Sequence, residues 1–290
     1  MSEKLLSKLD NIIKNINVDD LCCPICKSDF FIQSKSLICV KNHTFDFNKK
    51  GYIKLIKNYK NHVDKIYNKE LFVNRKTILY SGFYDKMHEK VAEIISNIFK
   101  HSVKILDVGS GEGSHTKKIV DLVNFKNCYL TDISETAIQL STVYLSSQII
   151  PIVCDAYNLP FKKCFDVILN ILSPYNYNQI YSVLKDDGII IKIVPTKDYL
   201  KEIRQINNLK QYEDDENVEM NFKKHFDLIK KEQICETFSI DKSQAEAFTK
   251  MTPLTESLTK VQQPKSITIS LLILVGKKKW NYRNMQNFIN

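Results

Sequence analysis

Four thiol and imidazole side chains near the start of the chain have the types and spacing of a metal site. Cys23 and Cys26 form a C-x2-C pair, twelve residues separate Cys26 from Cys39, and three separate Cys39 from His43. Thiolates and imidazole nitrogens are ligands that zinc prefers, and two such turns joined by a hairpin can surround one tetrahedral ion. Because roughly 35 residues bury too little surface to fold alone, bound metal would supply the missing stability. The spacing therefore predicts a structural zinc site.

Other readings of these cysteines are open. A redox C-x2-C pair is the functional rival, but a downstream Cys and His at ligand spacing count against it. The other alternative is a chance grouping of buried cysteines that bind no metal. Cys22 offers another sulfur, although the x2 spacing favours Cys23. The remaining cysteines are scattered, and the three of them that lie in or beside apolar strand-like runs indicate reduced, buried thiols of a cytosolic protein: Cys128, Cys154, Cys164 and Cys235.

A glycine-rich turn follows a short apolar stretch farther along the chain. Residues 105–113 read ILDVGSGEG, in which Asp107, Gly109, Gly111 and Glu112 close a predicted buried strand and precede an amphipathic helix. Glycines at a strand-to-helix turn let the backbone approach a ligand closely, but nicotinamide and flavin enzymes share this feature. A pyrophosphate would need the helix N-terminus for its anion. Glu112 in the turn instead suits a cationic, methionine-bearing ligand.

The order of the following strands narrows the interpretation. Asp132 ends a second predicted strand, where a carboxylate can accept both hydroxyls of a ribose, and Asp155 ends a third, where it can meet an adenine edge. Two further strands and a last antiparallel one, within residues 266–280, complete the pattern. This is the spacing of a class I S-adenosylmethionine methyltransferase, an α/β, Rossmann-like fold with a mostly parallel seven-stranded sheet. A Rossmann-like fold without a cofactor is the alternative.

Composition and charge set the remaining expectations. Hydrophobic residues make up 43% of the chain, no 18-residue apolar run occurs, and the N-terminus has no signal-peptide core, so we expect a cytoplasmic protein without a membrane contact. The net charge is +9, and residues 41–104 carry 14 Lys/Arg against 6 Asp/Glu. Such a localised basic face fits either a polyanion or an ordinary solvated surface.

These features predict a small N-terminal zinc-binding domain ahead of the methyltransferase core. The expected parts are an N-terminal helical extension at 1–20, a zinc-binding domain at 21–58, a helical basic linker at 59–101, and a methyltransferase domain at 102–290 with a helical lid at about 196–262. A lid there would lie above the carboxyl ends of the strands.

The combined motifs resemble the RlmA-type 23S ribosomal RNA guanine-N1 methyltransferases, over about residues 21 to 280. The most specific parts are CPIC…C…HTFD…KKGYIKLI at 23–56, ILDVGSGEG at 105–113 and MTP at 251–253.

The resemblance implies zinc on the four N-terminal ligands, a 23S rRNA hairpin as substrate and a homodimer. It also implies that Gly111, Glu112 and Tyr84 contact S-adenosylmethionine. A further cofactor position falls at Tyr199, where the family pattern has His.

The sequence does not single out a catalytic group. Methyl transfer from a sulfonium is an in-line displacement, so alignment and exclusion of water dominate. Guanine N1 carries a proton that must leave, which makes a proton acceptor or a cation near O6 useful. Pro174 and Tyr175 follow the fourth strand and could offer a carbonyl and a stacking ring, or form an ordinary loop. Arg75 could neutralise a phosphate or the O6 charge, or be a solvated helical arginine.

Three functions remain in competition. The leading one is RNA methylation, with the zinc-binding domain, the basic linker and residues 276–283, including Trp280 and Tyr282, gripping the RNA. The second is methylation of a small molecule or a protein, with a purely structural zinc. The third is a non-catalytic zinc-ribbon RNA-binding factor, which the intact acidic and glycine residues of the cofactor motif argue against.

Overall fold

Eleven strands in the described part of the chain hydrogen-bond into one sheet. The structure is a computed structural model that describes residues 7–56, 68–210, 215–255, 258 and 260–279. The strands are β1 (Phe30–Gln33), β2 (Ser36–Cys39), β3 (Thr44–Asn48), β4 (Tyr52–Lys54), β5 (Val103–Val108), β6 (Phe125–Asp132), β7 (Ile149–Val153), β8 (Phe165–Ile171), β9 (Leu184–Pro195), β10 (Phe226–Ser239) and β11 (Ser266–Lys278).

The strand order across the sheet is β1-β2-β3-β4-β7-β6-β5-β8-β9-β11-β10. Strands β7, β6, β5, β8 and β9 are parallel, whereas β11 is antiparallel to both β9 and β10. These seven strands confirm the predicted class I methyltransferase sheet and its antiparallel last strand. From β5 the chain moves first towards β6 and later to β8, and ligands bind outside the carboxyl ends of strands at such a switch point.

Nine helices, counted within the described ranges, surround the sheet. No helix in these ranges is long and apolar enough to cross a membrane. The helices are α1 (Lys8–Asn15), α2 (Lys69–Tyr80), α3 (Asp85–Ile98), α4 (Ser114–Val120), α5 (Glu135–Ser141), α6 (Tyr177–Val183), α7 (Lys201–Ile206), α8 (Asp215–His225) and α9 (Lys242–Lys250), with short 3-10 turns at Val18–Asp20, Thr142–Tyr144 and Pro253–Thr255.

The two faces of the sheet form separate apolar cores because successive strand side chains point to opposite sides. Ile105, Leu169 and Ile191 belong to the core that packs against α3, α4 and α9. Leu106 and Ile168 belong to the opposite core, which packs against α1, α6 and α8 and also includes apolar residues of the N-terminal segment.

The N-terminal segment, residues 7–56, continues the main sheet. Strand β4 pairs in parallel with β7, through Ile53 opposite Ile152. Buried Asp20 receives a hydrogen bond from the Tyr129 hydroxyl at 2.8 Å and forms an ion pair with Lys104. Helix α1 agrees with the predicted N-terminal helix and supplies a layer on this face of the sheet. The strands of the predicted zinc-binding domain at 21–58 are therefore part of the same sheet as those of the predicted methyltransferase domain.

The segment 196–262, expected to be a helical lid, also contains a long strand. Helices α7, α8 and α9 lie in this segment, but β10 runs for 14 residues between α8 and α9. Its side chains alternate between exposed and less exposed, the pattern of an edge strand paired on one side only. The helical expectation is wrong for residues 226–239 because Lys230, Glu232 and Glu236 interrupt the apolar residues of the less exposed face and obscure the period-2 signal.

The predicted basic linker, 59–101, supplies two helices that pack on the core. Residues 57–67 lie outside the described ranges; α2 and α3 follow them. Part of the positive charge is used in ion pairs with β10, since Lys86 pairs with Glu236 and Lys90 with Glu232. Trp280 also lies outside the described residues, as do residues 281–283 of the predicted RNA contact at 276–283.

Candidate metal centre and candidate active site

Two backbone turns aim the predicted metal ligands at one point. In the first turn, the Lys27 N–H donates to the Cys23 carbonyl at 2.8 Å, and Lys27 itself has a φ of 58°. In the second, the Asn42 N–H donates to the Cys39 carbonyl at 2.7 Å, and the His43 N–H donates to the Cys39 sulfur at 3.3 Å. The strands β1 and β2 hold the two turns side by side.

The four ligand atoms form a compact cluster. Sγ of Cys23, Cys26 and Cys39 and one ring nitrogen of His43 all lie within 4.8 Å of one another. The Cys26–Cys39 sulfur separation is 3.6 Å, and Nδ1 of His43 lies 3.6 Å from Sγ of Cys23 and 3.3 Å from Sγ of Cys39. Zinc bonds of about 2.3 Å to sulfur and about 2.0 Å to nitrogen give tetrahedral ligand separations of similar size. Cys22 points elsewhere, towards the Phe161 carbonyl.

A cavity of about 640 Å³ opens at the carboxyl ends of the central strands. It lies where the topology predicts a ligand site. Nine of the candidate site residues line it: Arg75, Gly109, Gly111, Glu112, Asp132, Asp155, Pro174, Tyr175 and Tyr199.

The glycine turn between β5 and α4 forms the floor of this cavity. Gly109, Gly111 and Gly113 have φ angles of 79°, 57° and 85°, a region that side-chain-bearing residues rarely adopt. A Cβ on Gly111 would lie 3.4 Å from the Phe72 ring and 3.5 Å from an Arg75 nitrogen. Side chains of α2 therefore pack close to the turn, and the glycines leave its backbone without a Cβ towards the cavity.

Acidic groups surround the turn. Oδ2 of Asp132 accepts the Gly111 N–H at 2.8 Å, and Glu112 accepts the N–H and the hydroxyl of Ser114. Burial raises the pKa of Glu112 and of Asp132. Asp107 lies beneath the turn; burial raises its pKa to about 7, and its Oδ1 has no hydrogen-bond partner in the structure.

This concentration of acidic groups fits the predicted cofactor. An orphaned carboxylate oxygen below a glycine turn, with two further carboxylates beside it, favours a ligand that carries positive charge. S-adenosylmethionine, with its sulfonium and ammonium groups, meets that condition.

Aromatic and cationic side chains close one end of the cavity. The hydroxyls of Tyr84 and Tyr199 lie 2.7 Å apart, and Tyr84 is fully buried behind Tyr199, so Tyr84 reaches the cavity through its partner. His115 also lines this end; burial lowers its pKa, which keeps the ring neutral. Arg75 lines the wall here and donates to the Met251 carbonyl at 3.3 Å, within the MTP motif. Its placement makes it a cavity residue.

The loop of residues 173–175 forms the opposite end. Asn170 of β8 holds this loop: its Nδ2 donates to the Val108 carbonyl at 2.7 Å and to the Pro174 carbonyl at 3.2 Å. The Ser173 hydroxyl also lies 3.3 Å from the Pro174 carbonyl. The carbonyl suggested as a contact to substrate therefore already accepts two hydrogen bonds, whereas Tyr175 lines the cavity.

Lys192 is a site residue that sequence reasoning missed. It is 3% exposed, lies towards the carboxyl end of β9, and lines the cavity beside the 173–175 loop. Its ammonium nitrogen donates to Oδ1 of Asn170 and, at 2.7 Å, to the Ser173 carbonyl. A lysine inside the apolar run IIIKIVP is the one signal that could have identified it, because Lys is almost never buried without a reason.

Comparison with known proteins agrees with this geometry. A zinc-ribbon family described as "RlmA, N-terminal" matches residues 21–60, and one described as "Methyltransferase domain" matches residues 105–188. The "Putative 23S rRNA (guanine-N(1)-)-methyltransferase YxjB" of Bacillus subtilis is 32% identical over 276 residues, 88% of this chain and 96% of the relative. The "23S rRNA (guanine(748)-N(1))-methyltransferase" of Streptomyces fradiae is 24% identical over 235 residues, 79% of this chain and 82% of the relative.

Proposed function

The chain belongs to the RlmA-type 23S rRNA (guanine-N1)-methyltransferases, and we propose that it transfers a methyl group to N1 of a guanine in a hairpin of 23S ribosomal RNA. It is an S-adenosylmethionine-dependent methyltransferase with an N-terminal zinc ribbon. When bound, S-adenosylmethionine supplies an electrophilic methyl group on a sulfonium. An RNA substrate of this kind would place the reaction in the cytoplasm.

The proposed cofactor site is the floor and acidic rim of the cavity. Gly109 and Gly111 would let the ligand approach the backbone, and Glu112 and Asp107 would favour its positive charge. Asp132 would accept the ribose hydroxyls, in the position that carboxylates take in such folds.

The other cofactor contacts are proposed from the two sides of the cavity. Asp155 would meet the adenine edge, and Tyr199, supported by Tyr84, would close the end at α2.

The zinc ribbon would present RNA to this cavity. Cys23, Cys26, Cys39 and His43 would hold the ion, which fixes the two turns at the edge of the sheet. A target base must leave its stack to reach the methyl group, and unstacked loop bases are the usual sequence-specific targets in RNA. Tyr175, at the far end of the cavity, would stack on that base.

The observation that carries this proposal is the joining of the four-ligand cluster and the acidic, glycine-floored cavity in one sheet. The test is incubation of the protein with S-adenosylmethionine and 23S rRNA from cells that lack the gene. We expect N1-methylguanosine in nuclease digests analysed by mass spectrometry, and none with the Gly111→Val variant. Unmodified guanine after incubation with active, cofactor-binding protein would refute the proposal.

Salt dependence separates RNA from a small-molecule or protein substrate. Each neutralised phosphate on single-stranded RNA contributes a slope of about −0.7 to a plot of log affinity against log salt concentration. We expect several such contacts, so affinity for a 23S hairpin should fall by roughly tenfold or more between 50 and 200 mM salt. A flat plot would favour a neutral small substrate.

The homodimer implied by the family resemblance is part of the same proposal. Sedimentation of the full chain at several concentrations tests it; a single monomeric species at micromolar concentration would contradict it.

A further inference from the structure

We propose that Lys192 accepts the N1 proton of the target guanine during methyl transfer. This assignment rests on the proposed function and adds the proton acceptor that the sequence did not single out. Lys192 comes from β9 and donates to the Ser173 carbonyl, so it lies beside the 173–175 loop, which touches the glycine turn at Gly109. Tyr175 and Lys192 line the same cavity, so a base that enters it beside the edge of the Tyr175 ring would lie near Lys192.

The hydrogen bonds around Lys192 leave it suited to this role. A neutral lysine amine has two N–H groups and one lone pair. Oδ1 of Asn170 and the carbonyl oxygen of Ser173 can take the two N–H groups, and the Asn170 side chain is itself held by the Val108 and Pro174 carbonyls. The lone pair is then the remaining valence of a nitrogen that lines the cavity.

The surroundings of Lys192 favour its neutral form. Burial lowers its pKa to about 7, and no carboxylate of the described residues forms an ion pair with it. Its neighbour across β8 is Asn170, and its neighbour across β11 is Leu274. The Tyr175 ring, with its centroid 3.9 Å from Nζ, acts the other way because an aromatic face favours an ammonium, so burial is the cause of the lowered pKa.

Ionisable groups on the next layer are few. Tyr177 contacts Tyr175 through its hydroxyl, and His225 of α8 stacks on Tyr177 at 4.1 Å between centroids. The charged residues that line the same cavity are Arg75, Glu112, Asp132 and Asp155. An acceptor whose pKa is near the working pH is the most effective kind of general base.

The step balances without another reactant. The N1–H bond breaks, its proton moves to Nζ of Lys192, and its electron pair remains on N1. N1 forms a bond to the methyl carbon while the carbon–sulfur bond breaks and its electron pair returns to sulfur. The lysine ends as an ammonium, which loses its proton to solvent before the next cycle.

The test is the pH dependence of kcat/KM on a 23S rRNA hairpin, with Lys192→Met and Lys192→Arg beside the wild-type protein. For the wild type we expect activity to rise with pH and to level off above about pH 7, where the amine is neutral. Lys192→Met should lose roughly 100-fold or more near neutral pH, within the range for a lost general base. Its residual rate should keep rising at higher pH, as guanine N1 ionises by itself.

Three outcomes would overturn the assignment. One is a Lys192→Met rate within threefold of the wild type. Another is an unchanged inflection near pH 7 in that variant. The third is recovery of activity by Lys192→Arg, since an arginine stays cationic and would support only charge stabilisation at O6.

Controls keep the result specific. Lys185→Met removes a half-exposed lysine of the same strand, which pairs with Asp166, and should keep the pH profile. Burial also raises the pKa of Asp107 to about 7, so the Asp107→Asn variant is needed to separate the two groups. If Lys192 causes the inflection, this variant should keep it, whatever its rate. Calorimetry must show that Lys192→Met binds S-adenosylmethionine. If the wild type itself forms no N1-methylguanosine, the proposed function fails and not this assignment alone.

Discussion

Two buried ionisable side chains of the candidate site lower the stability of the folded protein. Asp107 lies beneath the glycine turn and Lys192 beside the 173–175 loop, and each is almost completely removed from water. Burial shifts the pKa of both groups to about 7, from opposite directions. A protein selected for stability alone would place apolar residues there, so these two positions indicate function.

The Asp107→Asn variant tests how much the buried carboxyl group lowers the free energy of unfolding. Burial raises the folded-state pKa of Asp107 from 3.8 to about 7, so its contribution to stability is fully present below pH 3.8 and is lost as pH rises through 7. Asparagine cannot ionise and keeps an oxygen for the Thr116 hydroxyl, which bonds to Asp107. We expect the variant to gain roughly 2–4 kcal/mol over the wild type between pH 4 and pH 8.

Urea unfolding at these two pH values measures the change. Asp121→Asn, at an exposed position, is the matched control. Parallel stability curves for Asp107→Asn and the wild type would show that the carboxyl is already compensated.

The sequence predicts site residues where chemistry and spacing are local. The four metal ligands occupy two short turns, so their positions follow from the pattern alone. Lys192 is different, because its role depends on Asn170, 22 residues away on the neighbouring strand, and on the loop that Asn170 holds. Only the sheet register brings these residues together.

At the element scale, the glycine turn and the 173–175 loop touch each other. A Cβ built on Gly109 would lie 1.7 Å from the Ser173 hydroxyl oxygen and 2.6 Å from its Cβ. We expect Gly109→Ala to push the loop and Tyr175 away, since the φ of 79° also disfavours alanine. A misplacement of about 1 Å can lower the rate by about 100-fold, so kcat should fall more than cofactor affinity.

The double variant Gly109→Ala/Ser173→Gly is the control, since it removes both atoms that would clash. Single-turnover methylation and calorimetry should show recovery of kcat in the double variant. If Ser173→Gly does not restore any activity, the loss in Gly109→Ala comes from the turn itself and not from the loop.

Elements were predictable where both faces of a strand are buried. Strands β5 and β8 are mostly apolar and almost completely buried, and the sequence predicted them, as it did the final strand. Strand β10 was missed because Lys230, Glu232 and Glu236 interrupt the apolar residues of its less exposed face, and its pairing with β11 is decided by the tertiary fold. The pairing of β4 with β7 joins segments almost 100 residues apart and has no local signal.

At the scale of the whole molecule, the zinc ribbon rests on the wall of the cofactor cavity. The Cys22 N–H donates to the Pro160 carbonyl at 3.0 Å, and Asn158 donates to the Pro24 carbonyl at 2.9 Å. Lys27, in the first metal turn, donates to Oδ1 of Asn158 at 2.6 Å. These contacts reach the segment 155–161, whose first three residues line the cavity. The candidate metal centre and the cavity therefore share one structural support.

Loss of this support should weaken cofactor binding without touching the cofactor. Asn158→Ala removes the hydrogen bonds to Pro24 and Lys27, each worth about 1 kcal/mol, so we expect the Kd for S-adenosylmethionine to rise about fivefold or more while zinc content stays at one per chain. Hydrogen exchange at 155–161 should become faster, in the variant and also in wild-type protein stripped of zinc by a chelator. Asn15→Ala, whose side chain bonds only within α1, should change neither quantity. The expected coupling requires the first metal turn to hold the segment 155–161 in place. Equal Kd values for wild type, Asn158→Ala and zinc-free protein would therefore show that the zinc ribbon and the cavity act independently.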